Sequence, residues 1–184
     1  MGLIMKTKTK RCMLDLVLFV ILVAVDRITK QWATDKLANR DSIPIIKNII
    51  EFHYLPNGNT GAAFGILEGH RILFLIIAAV VVLAIAYLLF NMPEDKKFKI
   101  IEILLVFIAA GGAGNMIDRF FQNYVVDFIY ISCINFPIFN VADMYVSVCT
   151  IFLACIMLFK LKDKDYTALE EAFKAPFIKR SDRS

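Results

Sequence analysis

The sequence predicts an integral membrane α-helical protein, with four transmembrane helices and a small extracytoplasmic β-sheet on the membrane surface. Three observations carry this. Of the 184 residues, 59% are hydrophobic, where a soluble domain carries about 45–50%. The excess is gathered into four apolar stretches, at about residues 13–28, 72–90, 98–117 and 141–159, each of transmembrane length. Between the first two, Ile50, Phe52 and Tyr54 alternate with Glu51 and His53, the two-residue period of a strand.

The second stretch is the plainest. Residues 72–90 run for 19 positions without a charge, and at helical rise such a run spans about 30 Å, the thickness of a bilayer's hydrocarbon core. Four crossings put both termini on one side, and Lys and Arg choose which. Of the 21 basic residues, 14 lie before the first stretch (Lys6, Lys8, Lys10, Arg11), in the loop at 91–99 (Lys96, Lys97, Lys99), or beyond Phe159. Both termini and that loop are therefore predicted cytoplasmic, with 29–71 and 118–140 outside. The first stretch has the basic start of a signal peptide. Yet Asp26, Arg27 and Lys30 follow it and no small-x-small site does, so it reads as a retained signal-anchor helix. In the outer segments, Val125–Ile131 is a second β-rich run that can pair with the first. Within the cytoplasmic tail 160–184, the segment Asp163–Ser184 is charged, weakly helical at best, and read as a solvated end. The whole is one membrane domain.

Composition excludes an ordinary soluble enzyme, a disordered chain and a disulfide-rich secreted module. The net charge of +4 is no argument for nucleic acid, because the basic residues are not clustered on one polar domain. Two histidines, His53 and His70, and four cysteines, Cys12, Cys133, Cys149 and Cys155, show no zinc-like spacing, so no metal and no cofactor is expected. The cysteines read as small buried apolar side chains. Neither a G-x-S-x-G nor a Walker A sequence occurs.

What remains is a set of acids and amides near the outer ends of the helices, where ionisable groups are expensive. Asp26 and Lys30 are four apart on one helix face, acid first, the better orientation for a pair; a local ion pair anchoring the helix explains them equally well. Asn59-Thr-Gly-Ala-Ala-Phe64 follows the first strand and reads as a turn or as a close backbone approach. Gly111-Gly-Ala-Gly-Asn115-Met-Ile-Asp118-Arg119 ends the third stretch. Its glycines permit tight helix packing, and Asn115 and Asp118 share a face. Asp127 interrupts Val125-Val126 and Phe128-Ile129, where a solvated carboxylate is hard to explain and burial would raise its pKa. Asn140-Val-Ala-Asp143 has the form of a helix cap.

Taken singly, each has a bland explanation. Together they place Asp118, Asp127 and Asp143 at one membrane level, with Asn59, Asn115 and Asn140 as hydrogen-bond partners. Two carboxylates in a low-dielectric site share a proton, one serving as base and the other as acid, which activates water without metal, histidine or serine. The rival is a proton-coupled small membrane transporter, since intramembrane acids also mark proton paths. Transporters, however, are commonly built from repeats with broken midplane helices, and no repeat is visible here.

The motifs Asp26-Arg-Ile-Thr-Lys30, Asn59-Thr-Gly-Ala-Ala-Phe64, Gly112-Ala-Gly-Asn115-Met-Ile-Asp118-Arg119, Val126-Asp127-Phe128 and Phe139-Asn140-Val-Ala-Asp143 resemble those of lipoprotein signal peptidase (signal peptidase II), the bacterial membrane aspartic peptidase. All five stand in the family's order across residues 14–160. Asn115-Met and Asp143-Met-Tyr depart from the commoner residues without removing a functional group. The resemblance implies an enzyme of the bacterial inner membrane with its active site at the outer face. It would cleave the signal peptide of a diacylglyceryl-prolipoprotein on the N-terminal side of the lipidated cysteine. Asp127 and Asp143 would be the catalytic dyad. Asp26, Lys30, Asn59, Gly61, Asn115, Asp118, Arg119 and Asn140 match positions that bind substrate or support the dyad. The implied partners are the prolipoprotein substrate and membrane lipid, with the enzyme acting as a monomer and without nucleic acid.

Overall fold

The computed structural model describes residues 2–56, 58–60 and 71–181, with side chains for 8–56, 58–60 and 71–174. Helix α1 (Gly2–Leu37) is followed by strands β1 (Ile43–Ile46) and β2 (Ile50–Phe52) and helix α2 (Arg71–Asn91). Helix α3 (Lys99–Gln122), strand β3 (Ile129–Ile131) and helices α4 (Val141–Phe159) and α5 (Asp163–Ser181) complete the chain.

Helix α3 is the central post, because it carries the small residues. Ala109, Ala110, Gly111, Ala113 and Gly114 are all buried, and α1, α2 and α4 pack around them. On one side Leu22 of α1 meets Val106 and Ala110. On another, Ile85 of α2 meets Ile101, Leu105 and Ala109. The outward faces stay apolar: Ile72, Ile76, Val80 and Leu83 on α2 and Ile151, Phe152 and Phe159 on α4 are exposed. That is the surface of a helix that faces lipid.

Among the described residues, three segments are long and apolar enough to cross a membrane: α2, the stretch Lys96–Gln122 that holds α3, and α4. The predicted stretch at 13–28 is not among them. It is part of the 36-residue α1, whose apolar run is interrupted by Asp15, Asp26 and Arg27. Helices α1 and α3 run past the predicted membrane stretches, to Leu37 and Gln122, so Lys30, Asp118 and Arg119 lie in helix, consistent with the shared faces of Asp26 with Lys30 and of Asn115 with Asp118.

The sheet is three-stranded and antiparallel, in the order β1-β2-β3. Ile50, Glu51 and Phe52 pair with Ile131, Tyr130 and Ile129. It docks on the end of α1 through rings: Trp32 meets Phe52 at 5.0 Å and Phe128 at 6.2 Å between centres, both edge-on. Beneath them Val126 and Phe128 pack on Ala33 and Leu37. Strand β1 was not predicted; Ile43-Pro-Ile-Ile has no alternation, and its proline is tolerated because β1 is an edge strand.

The tail is not the solvated end expected of it. Leu161, just before α5, and Ala168, Leu169 and Phe173 within it pack on the α2–α3 core. Asp165 accepts from the Lys162 backbone N–H at 3.1 Å, the back-bond of a capped helix start, and from Lys97 Nζ at 2.6 Å. Among the cysteines only Cys149 is buried, whereas Cys133 and Cys155 are exposed, against the expectation that all were core side chains.

Candidate active site

The polar residues singled out in the sequence gather at the sheet end of the bundle, in two linked layers. The first joins α1 to α3. Lys30 Nζ makes three contacts: Asp26 Oδ2 at 2.9 Å, Asp118 Oδ2 at 2.9 Å and Asn115 Oδ1 at 2.8 Å. Arg27 pairs with Asp118 from the other side. The remaining oxygen of Asp26 takes the Ala142 backbone N–H at 3.1 Å, which ties α4 into the layer. Lys30, Asp26 and Asp118 are each at most 1% exposed, so their charges persist only because two acids meet two bases.

This layer depends on one glycine. A Cβ on Gly114 would lie 2.4 Å from Asp26 Oδ2 and 3.0 Å from its Cγ, whereas one on Gly112 would meet only Val82 Cγ2 at 3.5 Å. Gly114→Ala therefore pushes Asp26 away from Lys30 and the Ala142 N–H. The expected loss is about 1–3 kcal/mol, the scale of overpacking a tight core. Gly112→Ala should be nearly neutral. Thermal unfolding of the two variants in detergent checks the contrast.

The second layer holds the other two acids. Asp127 sits in an extended segment gripped on both sides. Its carbonyl accepts from Leu55 N at 3.1 Å, and the Phe128 N–H donates to Phe139 O at 3.0 Å. Val125, Val126 and Phe128 are buried around it, which explains a carboxylate inside an apolar run. Its oxygens take side-chain amides: Asn59 Nδ2 at 2.8 Å and Asn140 Nδ2 at 2.6 Å. Asn59 is held in place by paired backbone bonds with Val125, both 2.9 Å. Burial, then the charge of Asp143, pushes the Asp127 carboxyl up to about 7. The amides of Asn59 and Asn140 and the charge of Lys30 pull the other way.

Asp143 stands in the first turn of α4. Asn140 caps that helix through a reciprocal pair: Asp143 N donates to Asn140 Oδ1 at 3.0 Å, and Asn140 N donates to Asp143 Oδ2 at 3.1 Å. The other carboxylate oxygen takes Asn115 Nδ2 at 2.7 Å. Capping and acid placement are thus the same feature. One residue, Asn140, binds both carboxylates, and its amide also reaches Asn115 Oδ1 at 3.2 Å. Asp127 and Asn140 are buried, while Asp143, Asn115 and Asn59 keep some exposure, so the acid pair opens to its surroundings on the Asp143 side.

The profile of the family described as "Signal peptidase (SPase) II" matches residues 18–159. The chain belongs to this family. Signal peptidase II relatives are correspondingly similar along most of their length. The lipoprotein signal peptidase of Clostridium novyi (strain NT) is 38% identical over 148 residues, which cover 79% of this chain and 97% of that protein. The Brevibacillus brevis (strain 47) protein of the same name is 40% identical over 128 residues, covering 70% and 83%. Two solved bacterial membrane enzymes share the fold. One, at 1.9 Å resolution, has a TM-score of 0.68 and 29% identity, covering 80% of this chain and 94% of that one. The other, at 2.3 Å, has a TM-score of 0.67 and 31% identity, covering 79% and 87%. The family match ends at α4, so α5 lies outside what signal peptidase II members share by this measure.

Of the ten residues expected at the site, eight stand in this one network: Asp26, Lys30, Asn59, Asn115, Asp118, Asp127, Asn140 and Asp143. Arg119 lies beside it, with its guanidinium carbon 4.8 Å from the centre of the Phe74 ring. Gly61 lies outside the described residues. Asp118 meets Lys30 and Arg27, and also accepts from Val126 N at 3.3 Å. Arg27 is the residue the sequence reading missed. The signal was a charge count: Asp26 and Asp118 are two buried acids, and Lys30 alone balances one of them. Among the described residues no group of His, Cys, Asp or Glu side chains is arranged to hold a metal ion.

Proposed function

We propose that this chain is an aspartic endopeptidase that removes the signal peptide from diacylglyceryl-modified prolipoproteins, cutting on the N-terminal side of the lipidated cysteine. The observation that carries the reading is the single asparagine, Asn140, bound to both Asp127 and Asp143. Such an arrangement fixes two carboxylates side by side for shared-proton chemistry. The name of the relatives supplies the substrate class.

In the mechanism, Asp127 holds the proton. Its carboxyl is pushed up to about 7, so it stays protonated below neutral pH. The ionised partner in this reading is Asp143, whose two oxygens accept from the Asn115 amide at 2.7 Å and from the Asn140 backbone N–H at 3.1 Å. Asp127 donates a hydrogen bond to the scissile carbonyl oxygen, while Asp143 takes a proton from water. The water oxygen bonds to the carbonyl carbon, and the carbonyl oxygen takes the Asp127 proton, giving a gem-diol. The proton on Asp143 then passes to the amide nitrogen as the C–N bond breaks. A diol proton returns to Asp127, so the dyad is restored with the signal peptide released as a carboxylic acid.

Four crossings suit this reading. Leu16, Val17, Val20 and Ile21 give α1 an exposed apolar face, and its interrupting charges Asp26, Arg27 and Lys30 are satisfied by α3. Both termini are then cytoplasmic in one bacterial inner-membrane domain. The dyad stands at the outer face, where a lipidated cysteine meets the headgroups. The chain acts as a monomer.

The pH profile tests the proton assignment. Activity should fall as pH rises through about 7, as Asp127 loses its proton. Removing the Asn59 amide withdraws a donor that favours the ionised form, so Asn59→Ala should move this alkaline limb to higher pH while lowering the rate. A limb that stays fixed, or moves down, contradicts Asp127 as the acid.

A further inference from the structure

The first turn of α2 grips the last turn of α3 at two points. Arg71 donates through Nη2 to Phe120 O at 2.7 Å and through Nη1 to Asn123 Oδ1, and so holds the end of α3. One turn further along α2, the Phe74 ring faces the Arg119 guanidinium, with 4.8 Å from ring centre to guanidinium carbon. A guanidinium is drawn to a ring face, and the stack fixes both its place and its plane. Arg119 is close enough for its charge to act on both Asp143 and Asp127. Lys30, the other cation acting on them, is already committed to Asp26, Asp118 and Asn115. The ring is therefore one of the contacts that place the second of the two positive charges.

We propose that Phe74 is a positioning residue for the reaction: its ring holds the Arg119 guanidinium toward the acid pair, so that α2 sets the charge balance of a site built by α1, α3 and α4. This rests on the aspartic reading above. The groups facing Asp143 are Asn140, Asn115, Lys30, Arg119 and Asp127; those facing Asp127 are Asn59, Asn140, Lys30, Arg119 and Asp143. Of these groups, Arg119 is the one stacked on the Phe74 ring.

The test is the pH dependence of kcat/KM for Phe74→Leu and Phe74→Tyr, each also made in an Arg119→Lys background. Leucine keeps the apolar contact and removes the ring; tyrosine keeps the ring. Phe74→Leu should lower kcat/KM about tenfold, the scale of a desolvated cation–π contact. It should also move the acid limb to higher pH, because the ionised carboxylate loses part of its cation. Phe74→Tyr should follow the wild-type profile, and Phe74→Leu should add little once Arg119 is lysine. An unmoved acid limb overturns the proposal, as does equal loss in the leucine and tyrosine variants or full additivity with Arg119→Lys. Asp127→Asn and Asp143→Asn, run alongside, separate the two failures. If they are inactive and Phe74→Leu is normal, this inference alone falls. If they stay active, the aspartic reading falls and takes this one with it.

Discussion

Asp127→Asn and Asp143→Asn each reduce kcat by about 10³–10⁴-fold or more, the range that a positioned acid or base contributes. The substitution keeps size and shape and removes only the ability to hold and return a proton. Folding should survive it. At position 143 the helix cap persists, since the residue 143 N–H still finds Asn140 Oδ1, and one carboxylate oxygen remains an acceptor. The amide then faces one of its former donors, either Asn115 Nδ2 or Asn140 N, and loses about 1 kcal/mol. At position 127 one of the two amides from Asn59 and Asn140 loses its acceptor in the same way. Single-turnover cleavage, with thermal unfolding of the same samples, checks both halves. Wild-type turnover in either variant would show that the dyad is misassigned.

Lys30→Met should be the most damaging change to stability. The Lys30 ammonium is 1% exposed and has Asp26, Asp118 and Asn115 around it. Methionine fills the space but leaves Asp26 a buried charge with only the Ala142 N–H, while Asp118 keeps Arg27. Breaking a buried pair on one side costs about 3–5 kcal/mol. Activity should fall too, because Asn115 loses the shorter of the two contacts on Oδ1 that orient its amide on Asp143. The double variant Lys30→Met/Asp26→Asn separates the two effects. Removing the stranded charge should recover part of the stability and none of the activity. Denaturant unfolding in detergent and a cleavage assay on the same preparations measure this. A single variant within about 1 kcal/mol of wild type would contradict the charge-paired layer.

The extent to which these features were legible in the sequence differs from element to element. Helices α2 and α4 were read to within a residue or so of their ends, because uninterrupted apolar runs are a local signal. The membrane stretch of helix α1 was bounded at residue 28, since Asp26, Arg27 and Lys30 look like an exit from the membrane. The helix continues to Leu37 because those charges are met sideways by Asp118 and Asn115, some 85–91 positions away in the chain. Pairing of that kind has no local signature. Helix α5 was missed for a related reason: its apolar residues are sparse, and only the exposed α2–α3 surface gives them something to cover. At the site, the acids and amides stood out because each is a polar group in apolar company, and seven of them meet around Lys30 and Asn140. Which cation meets which acid was not legible, since Arg27 and Arg119 flank their neighbours equally well on paper. The cap at Asn140 and the acid at Asp143 read as rival explanations of one motif; the structure makes them a single device.

The most direct test of the central claim is cleavage by the purified full-length protein in detergent. The substrates are a diacylglyceryl-modified prolipoprotein and its unlipidated form, with the products weighed by mass spectrometry. The account predicts a signal peptide released from the lipidated substrate alone, with the new N-terminus at the lipidated cysteine. A well-folded protein that leaves the lipidated substrate intact, or cuts it elsewhere, would contradict it.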